Sequence, residues 1–174
     1  RKTNEKAELM KNDEVKRMAQ AKQLENPDFV VSFENMPNKN LLSQYATINY
    51  GSKPGQTERI IRYHWESELP SDFWQYAEST PTGETIFTGK EKICMALNEI
   101  NRQGINGFGI RSSDVWGRKG IIVSQMREMP CSLYLGYFFN NNTSVLISRT
   151  QSLGIFTYLE SGEYCKKIKK INVW

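Results

Sequence analysis

His64, Glu66 and Glu68 alternate along Tyr63-His64-Trp65-Glu66-Ser67-Glu68, and on a β-strand that alternation sets an imidazole and two carboxylates along one face. Such a row can move protons, because histidine titrates near neutrality and a neighbouring carboxylate can orient it. Two glutamates beside a histidine are more often plain strand surface, so a small enzyme using His64 and Glu66 stands third among the functional readings. A second set lies at Met126, Met129 and Cys131, whose soft sulfurs would suit Cu(I). Pro130 and the strand that begins after it favour packing and turn roles for these sulfurs instead.

Two glycine runs invite phosphate chemistry and fail on spacing. Gly83 and Gly89 enclose five residues, and Lys90 is followed by Glu91; a phosphate-binding loop encloses four and follows its lysine with Ser or Thr. The glutamate would also repel a phosphate. Gly104-Ile105-Asn106-Gly107-Phe108-Gly109 comes after a helical pattern, whereas the dinucleotide fingerprint opens one. Ser112-Ser113-Asp114 lacks a nucleophile elbow, and the single histidine lies far from it in sequence. No catalytic residue, metal site or cofactor is therefore assigned.

The aromatic residues give a better lead. Tyr63, Trp65, Phe73, Trp74 and Tyr76 fall within fourteen residues, and Trp and Tyr supply rigid contact area at binding sites. Tyr63, Trp65, Trp74 and Tyr76 are thus the expected binding residues, for a protein partner or a small apolar ligand. Cys94, Cys131 and Cys165 are too widely spaced for a zinc site. Three cysteines allow one disulfide and a spare thiol in an oxidising compartment, or three buried thiols in the cytosol. Cys131 and Cys165 each open an apolar run and form the expected bridge. The net charge of +4 concentrates at Lys166, Lys167, Lys169 and Lys170. A lysine-studded last strand would guard a sheet edge; nucleic-acid readers spread stacking aromatics over a wider basic face, so nucleic acid is not the expected partner.

The elements that must hold these residues follow from periodicity. At 174 residues the chain fits one domain and an appendage. Residues 1–26 read as a charged helical lead or stalk, with Glu8 and Lys11 paired at helical spacing and a thin stripe of Ala7, Met10, Met18 and Ala21. Residues 27–174 read as a single β-rich globular domain. Strands are expected at 29–33, 44–50 and 59–66, then a short helix from 72 to 78. A longer helix from Gly89 to Gln103 is expected to be capped by Thr88 and Glu91 and ended by Gly104. Five strands follow, at 120–125, 132–139, 145–149, 153–159 and 165–173, joined by polar turns short enough to require antiparallel pairing. The expected class is α+β, mainly antiparallel β in a meander or partly closed barrel, with a surface N-terminal helix and one well-capped internal helix.

The chain opens on Arg1 rather than Met, and a membrane anchor is expected upstream of it. No stretch approaches the ~18 consecutive apolar residues of a membrane-spanning helix. The leading functional expectation is a non-catalytic extracytoplasmic ectodomain of a single-pass membrane protein, in the periplasm or at the cell surface. It would act in sensing, co-regulation or envelope assembly by binding a protein partner or a small ligand. A helix ahead of a β-rich head with cysteines in its later half also resembles, in order of elements, the layout of type IV pilins and pseudopilins. That resemblance implies a structural subunit as the second reading.

Overall fold

Gly120-Ile121-Ile122-Val123-Ser124 and Thr143-Ser144-Val145-Leu146-Ile147-Ser148 are apolar without alternation, the mark of strands covered on both faces. In the computed structural model, which describes residues 3–12, 14, 15, 17–26, 31, 32, 41–67, 71–84, 86–88, 91–150 and 152–171, they are the two central strands of a sheet. These strands, β5 (Gly120–Ser124) and β7 (Thr143–Ser148), lie between β1 (Ala46–Tyr50) and β6 (Cys131–Tyr134) in the order β1-β7-β5-β6, with every pairing antiparallel. Ile121, Val123 and Leu146 pack with Ala46 and Cys131 beneath Ile155 and Leu159 of α6 (Ser152–Glu160). Ile122, Val145 and Ile147 turn the other way, into a cluster with Tyr134, Phe139 and Val115. Both faces are thus buried, which removes any reason for polar residues to alternate along either strand.

A second antiparallel sheet has the order β2-β4-β3, built from β2 (Ile61–Tyr63), β4 (Lys92–Met95) and β3 (Trp74–Ala77). Its central strand buries Ile93, Cys94 and Met95. The α+β class with mainly antiparallel sheets therefore holds, as two open sheets rather than a closed barrel.

Several local expectations are corrected. The chain expected as a helix at 72–78 holds strand β3 at Trp74–Ala77, and the capped helix expected at 89–103 is split into β4 and a short α5 (Leu97–Arg102). Thr88 caps nothing; its hydroxyl donates to Glu78. Gly104 does end α5, in the left-handed region at φ 60°. The strand expected at 59–66 is mostly helical, with α4 (Thr57–Ile60) before β2 and a 3-10 turn at His64–Glu66 after it.

The last two expected strands are both helices, α6 and α7 (Glu163–Ile171). Ile155, Phe156, Thr157 and Tyr158 carry strand propensity, but a helix places Ile155 and Leu159 on one face, and that face is buried against the sheet. In α7 the same logic buries Cys165 while leaving Lys166 and Lys167 exposed. Lys166, Lys167 and Lys169 thus lie on a helix surface, not on a guarded strand edge.

The expected disulfide is not formed: Cys94, Cys131 and Cys165 are free, buried thiols. Cys131 Sγ lies 3.1 Å from Glu160 Oε1 and Cys165 Sγ 3.6 Å from Glu128 Oε2, so each meets a carboxylate instead of the other cysteine. Burial, and for Cys131 also the Glu160 carboxylate, pushes the Cys131 thiol up, and burial alone pushes Cys94 up to about 12. Since the thiolate is the nucleophile, Cys94 and Cys131 should resist a thiol reagent at pH 8 in the native chain, and all three should titrate once it is denatured. Rapid native labelling of Cys94 or Cys131, or fewer than three thiols after denaturation without reductant, would contradict this arrangement.

The chain divides into two compact units, residues 1–40 with 168–174 and residues 41–167. In the first, the lead is two helical pieces, α1 (Thr3–Asn12) and α2 (Gln20–Gln23), rather than one helix to Asn26. The expected Glu8–Lys11 pair is present at 3.8 Å on exposed side chains, worth a few tenths of a kcal/mol. The strand expected at 29–33 falls outside the described residues except for Val31 and Ser32, which are not in a strand.

Candidate functional site

Within residues 41–167, a set of backbone bridges ties the two sheets together and leaves a cleft beside them. Ser52 bridges to Asn140, with its N–H donating to Phe139 O at 3.0 Å. Its buried hydroxyl donates to Arg111 O and accepts from Arg111 N–H. Lys53 and Gly109 exchange a pair of 2.9 Å hydrogen bonds. From the second sheet, Ala77 bridges to Phe138 and Glu78 N–H donates to Phe138 O at 2.7 Å.

Two glycines make the fit possible. A Cβ on Gly51 would lie 1.8 Å from Asn140 O, and one on Gly55 would lie 2.1 Å from Gly107 O. Only hydrogen fits at either contact. The segment 51–55 is thereby pinned between the Asn140 turn and the 107–109 loop, and Lys53 is held between them.

The cleft has a volume of about 290 Å³. Its walls are Lys53, Pro54 and Thr57 from one side, Ile61, Ala77 and Lys92 from the three-stranded sheet, Ser79 and Thr80 from the segment after β3, and Phe138 with Asn140, Asn141 and Asn142 from the stretch before β7. The turn is self-braced: Asn142 N–H donates to Asn140 Oδ1 at 3.0 Å, and Thr143 donates through both N–H and Oγ1 to Asn140 O. Two lysines, three asparagines and the hydroxyl residues Thr57, Ser79 and Thr80 therefore line one cleft.

The acid on this wall is Glu78, 4% exposed. Its Oε1 accepts from Leu135 N–H at 2.9 Å and its Oε2 from the Thr88 hydroxyl at 3.2 Å. Burial drives its pKa up to about 7, with the hydrogen bonds from Leu135, Thr88 and Tyr137 opposing the rise. Near neutral pH Glu78 is only partly ionised, while a second carboxylate, Glu91 Oε2, accepts from the hydroxyl of the cleft-wall residue Ser79 at 3.2 Å.

The four expected binding residues are divided between two faces. Cross-strand register puts Tyr63, Lys92 and Ala77 in one row, on the side that carries the cleft, and Arg62, Ile93 and Tyr76 in the next row, on the opposite side. Tyr63 and Trp65 stack with centroids 4.4 Å apart and planes 11° from parallel. Lys92 Nζ lies 5.8 Å from the centre of the Tyr63 ring. Trp74 instead takes the Arg62 guanidinium over its ring at 5.4 Å, and Tyr76 tilts against Tyr137.

The acid/base row is dissolved. His64 sits in the 3-10 turn with Nδ1 3.3 Å from Glu91 O, and Glu66 accepts the Tyr63 N–H at 2.6 Å as a cap on that turn. Glu68 lies outside the described residues. The sulfur set is likewise dispersed, with Met126 57% exposed and Cys131 buried beside Glu160. Among the described residues no group of three or more His, Cys, Asp or Glu is placed to hold a metal ion.

Lys53, Lys92 and the three asparagines were not legible as a site. Asn141-Asn142-Thr143-Ser144 reads as a polar turn or overlapping glycosylation sequons, and Lys53 as part of a loop. No protein-family model matches the chain, and no curated protein matches it.

Proposed function

We propose that the chain is a non-catalytic binding module whose cleft takes a small anionic ligand. The observation that carries this reading is that Lys53, Lys92, Asn140, Asn141 and Asn142 line one cleft together. Charged hydrogen bonds from ammonium groups are the strong ones for an anion, and neutral amides add directional partners. The apolar ligand expected from the aromatics alone gives way to an anion once the lysines are placed beside them. Sensing, co-regulation or assembly at the cell envelope remains the proposed setting. It rests on the charged lead, since the disulfide that would have supported it is not formed.

Inorganic phosphate is the simplest probe. A ligand that binds only the native state raises Tm as its concentration passes Kd. Phosphate also stabilises proteins in general by exclusion from their surface, so the informative quantity is the difference from a Lys53→Gln/Lys92→Gln variant. The wild type should show a saturable rise in Tm that shrinks with added sodium chloride. The double variant should show only the small non-saturating rise. Equal responses in the two proteins would end the anion reading.

A further inference from the structure

Asn106-Gly107 is the single Asn-Gly pair of the chain, and both residues are exposed in the turn between α5 and Gly109. Asparagine before glycine is chemically fragile as well as turn-forming. With no side chain on the following residue, nothing hinders its backbone nitrogen from approaching the asparagine carboxamide. Here Gly107 has φ 81°, and among the described residues no hydrogen bond holds its N–H or the Asn106 side chain. The two groups of an intramolecular attack are thus both available.

The flanks of the turn are tied instead. Ile105 is buried with its N–H donating to Ile100 O at 3.2 Å, and Gly109 exchanges its pair of hydrogen bonds with Lys53. Gly55 abuts the turn so closely that a Cβ on it would lie 2.1 Å from Gly107 O. Extra backbone length at 106–107 therefore finds no slack at either end and presses on the 53–55 segment.

We propose that Asn106 is a site of spontaneous deamidation and that its isoaspartyl product loosens the 53–55 segment. The Gly107 nitrogen attacks Asn106 Cγ. A new C–N bond forms, the bond from Cγ to Nδ2 breaks, and Nδ2 leaves as ammonia with the proton that Gly107 has given up. Water then opens the five-membered imide. Cleaving the new bond gives aspartate, whereas cleaving the old peptide bond leaves the chain running through Cγ, one methylene longer. No oxidant, enzyme or ligand in the cleft takes part.

Incubation at pH 8, where the attacking nitrogen gives up its proton more readily, tests the site when followed by tryptic mapping. The peptide from Gln103 to Arg111 holds Asn106 as its only asparagine, so a gain of about 1 Da in that peptide locates the conversion. The half-time in the native chain is expected within about tenfold of that in guanidinium chloride, because an exposed turn without hydrogen bonds opens at little cost. Asn106→Gln, whose side chain would have to close a larger ring, should stay intact over the same period. The isoaspartyl protein purified from aged material should then melt at a lower urea concentration than Asn106→Asp, which carries the same charge without the added methylene. Asn106 that stays intact in the native chain would overturn the site. Equal midpoints for the isoaspartyl protein and Asn106→Asp would overturn the loosening.

Discussion

Gly51→Ala is expected to destabilise residues 41–167 by about 3 kcal/mol or more, the upper end of what forced overpacking costs. The added Cβ would sit 1.8 Å from Asn140 O and 2.3 Å from Asn140 C, and backbone cannot swing aside as a flexible side chain can. Relief requires the 51–53 segment to move away from the turn at Asn140. That movement would break the Gly51 N–H bond to Thr143 O and the Ser52 N–H bond to Phe139 O. Gly104→Ala is the matched control, because its Cβ meets nothing and the cost comes only from φ of 60°, about 1–2 kcal/mol. Denaturant melts of the two variants should therefore separate close approach from backbone strain. A Gly51→Ala midpoint no lower than that of Gly104→Ala would show that the bridge between Ser52 and Asn140 is not as tight as described.

The legible parts of this fold were those where one local rule suffices. Gly120–Ser124 and Thr143–Ser148 are strands whose β-branched residues meet a buried surface, and Ala46–Tyr50 is an edge strand legible from Thr47, Ile48 and Tyr50 although those three are exposed. The region 89–103 misled because Ile93, Ala96, Leu97 and Ile100 fit a helical face, while the chain uses Ile93 in a central strand and Ile100 in the helix that follows. Period alone cannot place a strand-to-helix junction inside such a run. In 153–171 the error ran the other way, since propensity favoured strand and burial at Ile155 and Leu159 favoured helix. None of the four aromatic residues expected to bind lines the cleft. Its lysines and asparagines were not legible either, because Lys53, Lys92 and Asn140 become neighbours only through bridges between distant segments, and no spacing rule encodes those.

Glu78 should make stability fall as pH rises. Its native pKa is raised from 4.5 to about 7, with burial the chief cause, so between those values the folded chain keeps a proton that the unfolded chain has released. Stability then declines with pH through that window and levels off above about 7, by up to about 3 kcal/mol in total at 1.36 kcal/mol per unit. Glu78→Gln removes the titration. The amide oxygen can still accept from Leu135 N–H, and the Thr88 hydroxyl can turn to accept from the amide nitrogen. The variant should therefore gain on the wild type steadily from pH 5 to pH 7 and be the more stable protein at pH 8, as read by urea melts across that range. Parallel pH profiles for the two proteins would show that Glu78 ionises as readily in the fold as out of it. Burial also holds the Tyr134 phenol above its ordinary range, assisted by the Glu78 charge, so its spectrophotometric titration should shift downward in the variant.

The order of the four-stranded sheet has a consequence for how the chain is made. β1 has a single neighbour, β7, and Thr47 meets Ile147 across a hundred residues of sequence. A ribosome adding about 5–20 residues per second leaves that strand waiting for roughly 5–20 seconds. Ile48 and Tyr50 spend the interval on a nascent chain without the β7 groups they pair with, whereas Lys53 meets Gly109 earlier. The cleft is thus among the last features of synthesis to close, and a truncated or stalled product would display its open strand to chaperones before it could bind any ligand.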